Sequence, residues 1–169
     1  KVAGRHNWSL LDAVVAKLGK LRADGLDLTC DAYPYHCSQT TLLAVLPPWS
    51  LDGGIDPLLA RLRDAGERRR MIADIREGLP GWENMYRNCG WRKITISYVK
   101  SGENKEMEGH DIQSLAENAG QDPFPFVLDL IAAEKGDVSI IAESMSEDNV
   151  ARILKLPFVM IGSDGGMPT

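Results

Sequence analysis

The chain has 169 residues, 44% of them hydrophobic and 25% charged, with a formal net charge of −5. That size and composition suit one globular domain with its own core, and the negative balance argues against a general binder of nucleic acid or of anionic membrane. No apolar run approaches the ~20 residues that span a bilayer, and no export pattern opens the chain, so it reads as cytoplasmic, a reading that does not extend to any longer parent.

Ser9 is placed to cap a helix over about 9–24, with Leu10, Leu11, Val14, Val15, Leu18 and Leu21 at helical spacing and Gly25 closing it. Residues 26–32 then alternate Leu26, Leu28 and Cys30 with Asp27, Thr29 and Asp31, the pattern of a strand. Pro47 and Pro48 block regular structure. Asp56-Pro57 predicts a helix start, and a second helix covers 67–77. Arg68-Arg69-Arg70 within it alternates with Glu67 and Asp74 and reads as a solvated face; Trp82, Tyr86 and Trp91 read as packing residues.

Ile94–Val99 is strand-like, and 101–109 is polar and turn-like. Helices follow over about 111–119 and from Asp122-Pro123 to Gly136. Residues 138–142 form a strand, Ser146 caps a helix that Pro157 closes, and Phe158–Ile161 form the last strand. Alternating helices and strands with short connections at both ends predict a parallel sheet with right-handed crossovers. Residues 41–110 break that rhythm and read as an insertion.

In parallel α/β folds ligands meet the C-terminal ends of the strands. Two segments lie there: Asp31-Ala32-Tyr33-Pro34-Tyr35 and Gly162-Ser163-Asp164-Gly165. Asp164, flanked by glycines, suits a general base or a hard metal ligand; the alternative is that Ser163 and Asp164 cap a following helix. Pro34 biases Tyr33 to extended backbone. The two tyrosines then end the strand on opposite sides, as hydrogen-bond donors or as core edges. His6, His36 and His110 stand alone, with no H-x-H or H-E-x-x-H pattern, and there is no G-x-S-x-G elbow, P-loop or G-x-G-x-x-G. Cys30, Cys37 and Cys89 fit no zinc knuckle and read as buried thiols of a reducing compartment.

The order Lys1-Val2-Ala3-Gly4, Asp31-Ala32-Tyr33-Pro34-Tyr35, Leu46-Pro47-Pro48-Trp49 and Met160-Ile161-Gly162-Ser163-Asp164-Gly165 resembles the N-acyl-D-amino-acid deacylases, the D-aminoacylase branch of the amidohydrolase superfamily. Met145-Ser146-Glu147 through Ile153-Leu154 resembles that family's penultimate helix. The resemblance implies α/β architecture, part of a TIM-type (β/α)8 barrel. About strands six to eight, at 26–32, 138–142 and 158–162, would lie here, with 41–110 a mainly helical lid or oligomer contact over the mouth. It implies a zinc-dependent hydrolase of the amide bond of N-acyl-D-amino acids.

By the same resemblance Asp164 is the catalytic general base, and Lys1 and Tyr33 contact the substrate. The metal ligands, a Cys and several His, would precede Lys1, which leaves Asp164 as the one metal contact to expect here. The chain alone would then be inactive, with open sheet edges through which it would self-associate. Gln39 in place of the family's Ser, and His36-Cys37 in place of small residues, depart from the pattern and touch specificity. Two other readings stay open: a cyclic-amidase relative of the dihydropyrimidinase or hydantoinase kind, and a non-catalytic α/β binding or assembly module.

Overall fold

The computed structural model describes residues 2–165. The first half contains α1 (Leu11–Ala23), β1 (Cys30–Ala32), β2 (Ser38–Thr41), α2 (Ile55–Arg63), α3 (Ala65–Glu77) and α4 (Met85–Cys89). The second contains β3 (Ile94–Val99), α5 (Ile112–Asn118), α6 (Pro123–Ala133), β4 (Val138–Ala142), α7 (Glu147–Leu154) and β5 (Val159–Ile161). The architecture is mixed α/β with two small sheets, and the described residues form no closed barrel. Two compact units result, one from the chain up to Cys37 and from Ser144 onward, the other from Ser38–Glu143.

The Ser38–Glu143 unit holds an extensive core. Its sheet has the order β2-β4-β3 and is antiparallel throughout. Ile94, Ile96, Val138, Ile140 and Ala142 point to one face and are buried with Leu58, Leu62, Met71, Ile75, Val127, Leu128 and Ile131 from α2, α3 and α6. Side chains supply the caps that local sequence calls for: Asp64 accepts from the Glu67 N–H at 2.8 Å, Asp111 from Ser114 at 2.9 Å and Asp122 from Phe124 at 2.9 Å. Tyr86, Trp91 and Phe124 pack ring on ring, with centroids 4.7 to 5.3 Å apart, so the aromatic run is core. On α3, Arg68 pairs with Asp129 at 2.7 Å and Arg70 lies 3.9 Å over the Trp49 ring.

Residues 138–142 therefore correct the sequence expectation. They are not a strand of a parallel set with 158–162 but the centre of an antiparallel sheet. Val138, Ile140 and Ala142 are buried while Ile141 is exposed, the alternation of a sheet packed on one face; a parallel strand is covered on both.

The unit built from the chain ends has a different character. β1 and β5 pair in parallel, Cys30 with Val159, Asp31 with Met160 and Ala32 with Ile161. The pairing is extended at both ends, where Cys30 N donates to Phe158 O at 2.9 Å and Gly162 N to Ala32 O at 3.1 Å. Gly4 N and Trp8 Nε1 both donate to Ser144 O, and Asn149 Nδ2 donates to Trp8 O, tying the first residues to the start of α7. Ser146 caps α7 as expected, accepting from Asn149 N at 3.3 Å. Ser9 caps nothing; it lies inside a 3-10 turn, Arg5–Leu10, that runs straight into α1. The strand starts at Cys30, later than the expected 26, because Leu26 N turns back to Leu21 O after Gly25.

Candidate functional site

Tyr33 and Asp164 come from the C-terminal ends of adjacent strands. Side chains on a strand alternate, so residues two apart share a face. Asp31 and Tyr33 follow one parity at the end of β1, and Met160 and Gly162 follow one at the end of β5; the left-handed backbone of Asp164 takes it out of that alternation. The pairing of Asp31 with Met160 makes these a common face. The Gly162 N to Ala32 O hydrogen bond then carries the alignment one step past the sheet, into the loop that bears Asp164.

Asp164 adopts φ 50, a left-handed backbone that few non-glycine residues take. Ser163 Oγ accepts from Gly165 N at 3.2 Å, closing a short turn around it. That backbone turns the Asp164 carboxylate away from the direction an extended strand would give it, and such outliers cluster at functional sites. A Cβ at Gly162 would meet nothing within 4 Å, so close packing is not what places glycine there.

A cavity of about 530 Å³ opens in this unit, lined at one end by Asp31, Tyr33, Gly162 and Asp164. Leu11, Val14, Val15 and Leu18 of α1 and Val150 and Ile153 of α7 give it an apolar body, with Cys30, Ala32 and Val159 from the strands. The space is wide enough for a small organic molecule. Its polar lining comprises the carboxylates of Asp31 and Asp164, the Tyr33 phenol and the side chains of Ser146 and Asn149.

Tyr33 and Tyr35 do not leave the strand on opposite sides, as the sequence suggested. Their rings stack with centroids 5.9 Å apart, as expected for residues two apart across an extended proline. Lys1 lies outside the described residues. His6 and His36 are exposed and neither lines the cavity. Of the cysteines only Cys89 is fully buried, its Sγ donating to Met85 O; Cys30 and Cys37 are half-buried. Asp31 was not singled out from the sequence, although its two-residue spacing from Tyr33 was the available signal.

Among the described residues no group of three or more His, Cys, Asp or Glu is placed to hold a metal ion. Asp31 and Asp164 alone fall short of a zinc donor set, which takes three or four protein ligands rich in nitrogen and sulfur. Asp164 as a metal contact is therefore not supported by these residues themselves.

No family model and no curated protein matches the chain. Solved structures do. An N-acyl-D-glutamate deacylase from Bordetella bronchiseptica, complexed with zinc and a phosphonate mimic of the tetrahedral intermediate, matches with a TM-score of 0.57 at 21% identity, over 96% of this chain and 24% of its own. A D-aminoacylase with a binuclear metal centre matches at 0.55 and 24% identity, over 98% of this chain and 24% of its own. The chain shares the fold of D-aminoacylases. A further D-aminoacylase structure, described as defining a subset of amidohydrolases, matches at 0.54 and 23% identity over 98% of this chain. The chain spans about a quarter of the length of these relatives, 24% in each case. No helix among the described residues is long and apolar enough to cross a membrane.

Proposed function

We propose that this chain is part of a metal-dependent amidohydrolase that cleaves N-acyl-D-amino acids to a carboxylic acid and a D-amino acid. The observation that carries the reading is that Tyr33 and Asp164, each just past the C-terminal end of one of two paired parallel strands, line the same cavity. The shared fold with N-acyl-D-glutamate deacylase and D-aminoacylase supports it.

Asp164 is the general base. It takes a proton from the water that attacks the amide carbonyl and returns it to the nitrogen as the carbon–nitrogen bond breaks. The Tyr33 phenol donates a hydrogen bond to the substrate carboxylate, and Lys1 supplies its counter-charge. Zinc is the metal that the resemblance implies. Its ligands are assigned to residues beyond those described, because the two carboxylates here cannot hold it. β1 and β5 correspond to barrel strands six and eight. The 41–110 stretch, all of it within the Ser38–Glu143 unit, is an insertion that serves as a lid or oligomer contact. The full protein is cytoplasmic, and its ligand is a small molecule.

The test compares two proteins. The zinc-loaded full-length protein should release acetate from N-acetyl-D-amino acids and leave the L-enantiomers intact, while these 169 residues alone should release none. Failure of the full-length protein on every N-acyl-D-amino acid overturns the function. Turnover by the 169-residue chain overturns the assignment of the metal ligands elsewhere.

A further inference from the structure

Two non-glycine residues among those described take a left-handed backbone, Lys135 at φ 53 and Asp164 at φ 50. Lys135 belongs to the end of α6. Its N–H donates to Ala132 O at 3.3 Å and the Gly136 N–H to Ile131 O at 2.9 Å, the Schellman pattern in which a left-handed residue closes a helix. No helix precedes Asp164, which follows the end of β5 at Ile161. Its conformation needs another support. The left-handed region is disfavoured for a residue with a side chain, by about tenfold in population and by less for Asp. The last hydrogen bond of the sheet, from Gly162 N to Ala32 O at 3.1 Å, stops two residues short of Asp164. Beyond it Ser163 Oγ accepts from Gly165 N at 3.2 Å, and this bond spans Asp164 from one side to the other. An oxygen on the first side-chain carbon is the acceptor that reaches an N–H two residues ahead.

We infer that Ser163 is a positioning residue for Asp164: its hydroxyl holds the backbone turn that presents the carboxylate to the cavity. This deepens the function proposed above and rests on Asp164 being the base. Gly162 and Asp164 line the cavity, and Ser163 stands between them in the chain. Its effect runs through the backbone. A general base works only within hydrogen-bond reach of the proton it takes. Relaxing Asp164 from the left-handed to the extended region swings its Cβ, and with it the carboxylate, to a different side of the chain. One neutral hydrogen bond shifts such an equilibrium by about 3- to 10-fold. That is comparable to the preference it opposes, so the turn is held with the bond and largely lost without it. Substrate binding through Tyr33 does not pass through this turn, so the effect belongs to kcat and not to KM.

The test is a set of steady-state measurements on the zinc-loaded full-length protein with an N-acetyl-D-amino acid that it hydrolyses. Ser163→Ala should lower kcat by about 3- to 10-fold with KM little changed. Ser163→Thr keeps the hydroxyl at the same place and should retain most of the activity. The decisive readout is the coupling of the two positions. In an Asp164→Asn background, Ser163→Ala should lower kcat no further, because the group it positions is already gone. If Ser163→Ala does not fold, Ser163→Gly removes the same hydroxyl and enters the same cycle. An unchanged kcat in Ser163→Ala overturns the inference, as do a Thr variant as slow as the Ala variant and losses that multiply in the double variant. Full kcat in Asp164→Asn, or no hydrolysis of any N-acyl-D-amino acid by the unsubstituted protein, overturns instead the function on which the inference rests, and the inference falls with it.

Discussion

At the scale of single residues, backbone conformation and hydrogen bonding separate groups that composition treats alike. Asp164→Asn keeps the shape of the side chain and removes the group proposed as the base, so kcat in the full-length protein should fall by about 100- to 10,000-fold with KM little changed; a steady-state assay checks this. Glu134 is the contrasting carboxylate. It is 2% exposed and accepts from Ser101 N at 2.8 Å, from Ser101 Oγ at 2.5 Å and from Asn104 Nδ2. Burial by itself raises its pKa, but the hydrogen bonds from Ser101 and Asn104 outweigh that and hold the carboxyl below its ordinary value. A carboxyl lowered on folding stabilises the native state above its unfolded pKa, and that stability is lost as pH falls through the folded value. The loop from Ser101 to Asn104 should therefore loosen only below the usual carboxylate range, and Glu134→Gln should remove this acid-side dependence. Amide exchange of Ser101 across pH 3–6 measures both, the window following from the ordinary pKa of about 4.3.

At the scale of elements, some caps were legible, Ser9 and Asp56 excepted, and sheet partners were not. Asp122 and Ser146 cap the helices that the sequence assigns to them, because an oxygen bonding two or three residues ahead is a local event. Ile94–Val99 and residues 138–142 are strands as read. Nothing local says that they pair with each other antiparallel, and the expectation of a parallel set failed at β4 for that reason. The cue was present: Ser139 between Val138 and Ile140 gives alternation, where a strand covered on both faces would be apolar throughout. Asp164 and Tyr33, named from strand ends and family likeness, both line the cavity, and the β1–β5 register adds Asp31 to them. Because β4 is the central strand, Ile140→Ala, at a position with no exposure, should destabilise the protein by about 2–5 kcal/mol in denaturant titration.

At the scale of the whole molecule, burial is unevenly divided. The Ser38–Glu143 unit holds nearly all of the buried apolar residues. In the other unit only Leu11 and Met145 are buried apolar residues among those described, while Leu10, Val14, Leu26, Met160 and Ile161 are exposed. A two-stranded sheet with so thin a core is marginal in water. Native-state hydrogen exchange should accordingly show strong protection at Ile96, Val127 and Ile140 and weak protection at Cys30 and Met160. The 169-residue chain on its own should elute as self-associated species at micromolar concentration, and a clean monomer would contradict this. The pairing of Ser38 with Ala142 has a further meaning. Directly opposed residues of an antiparallel ladder lie about 4.5–5.5 Å apart, so this unit leaves the chain and returns to it through one narrow doorway. Such a doorway makes a module portable: a two- or three-glycine bridge could replace 106 residues without stretching what remains, and evolution could swap or enlarge the module under the same constraint.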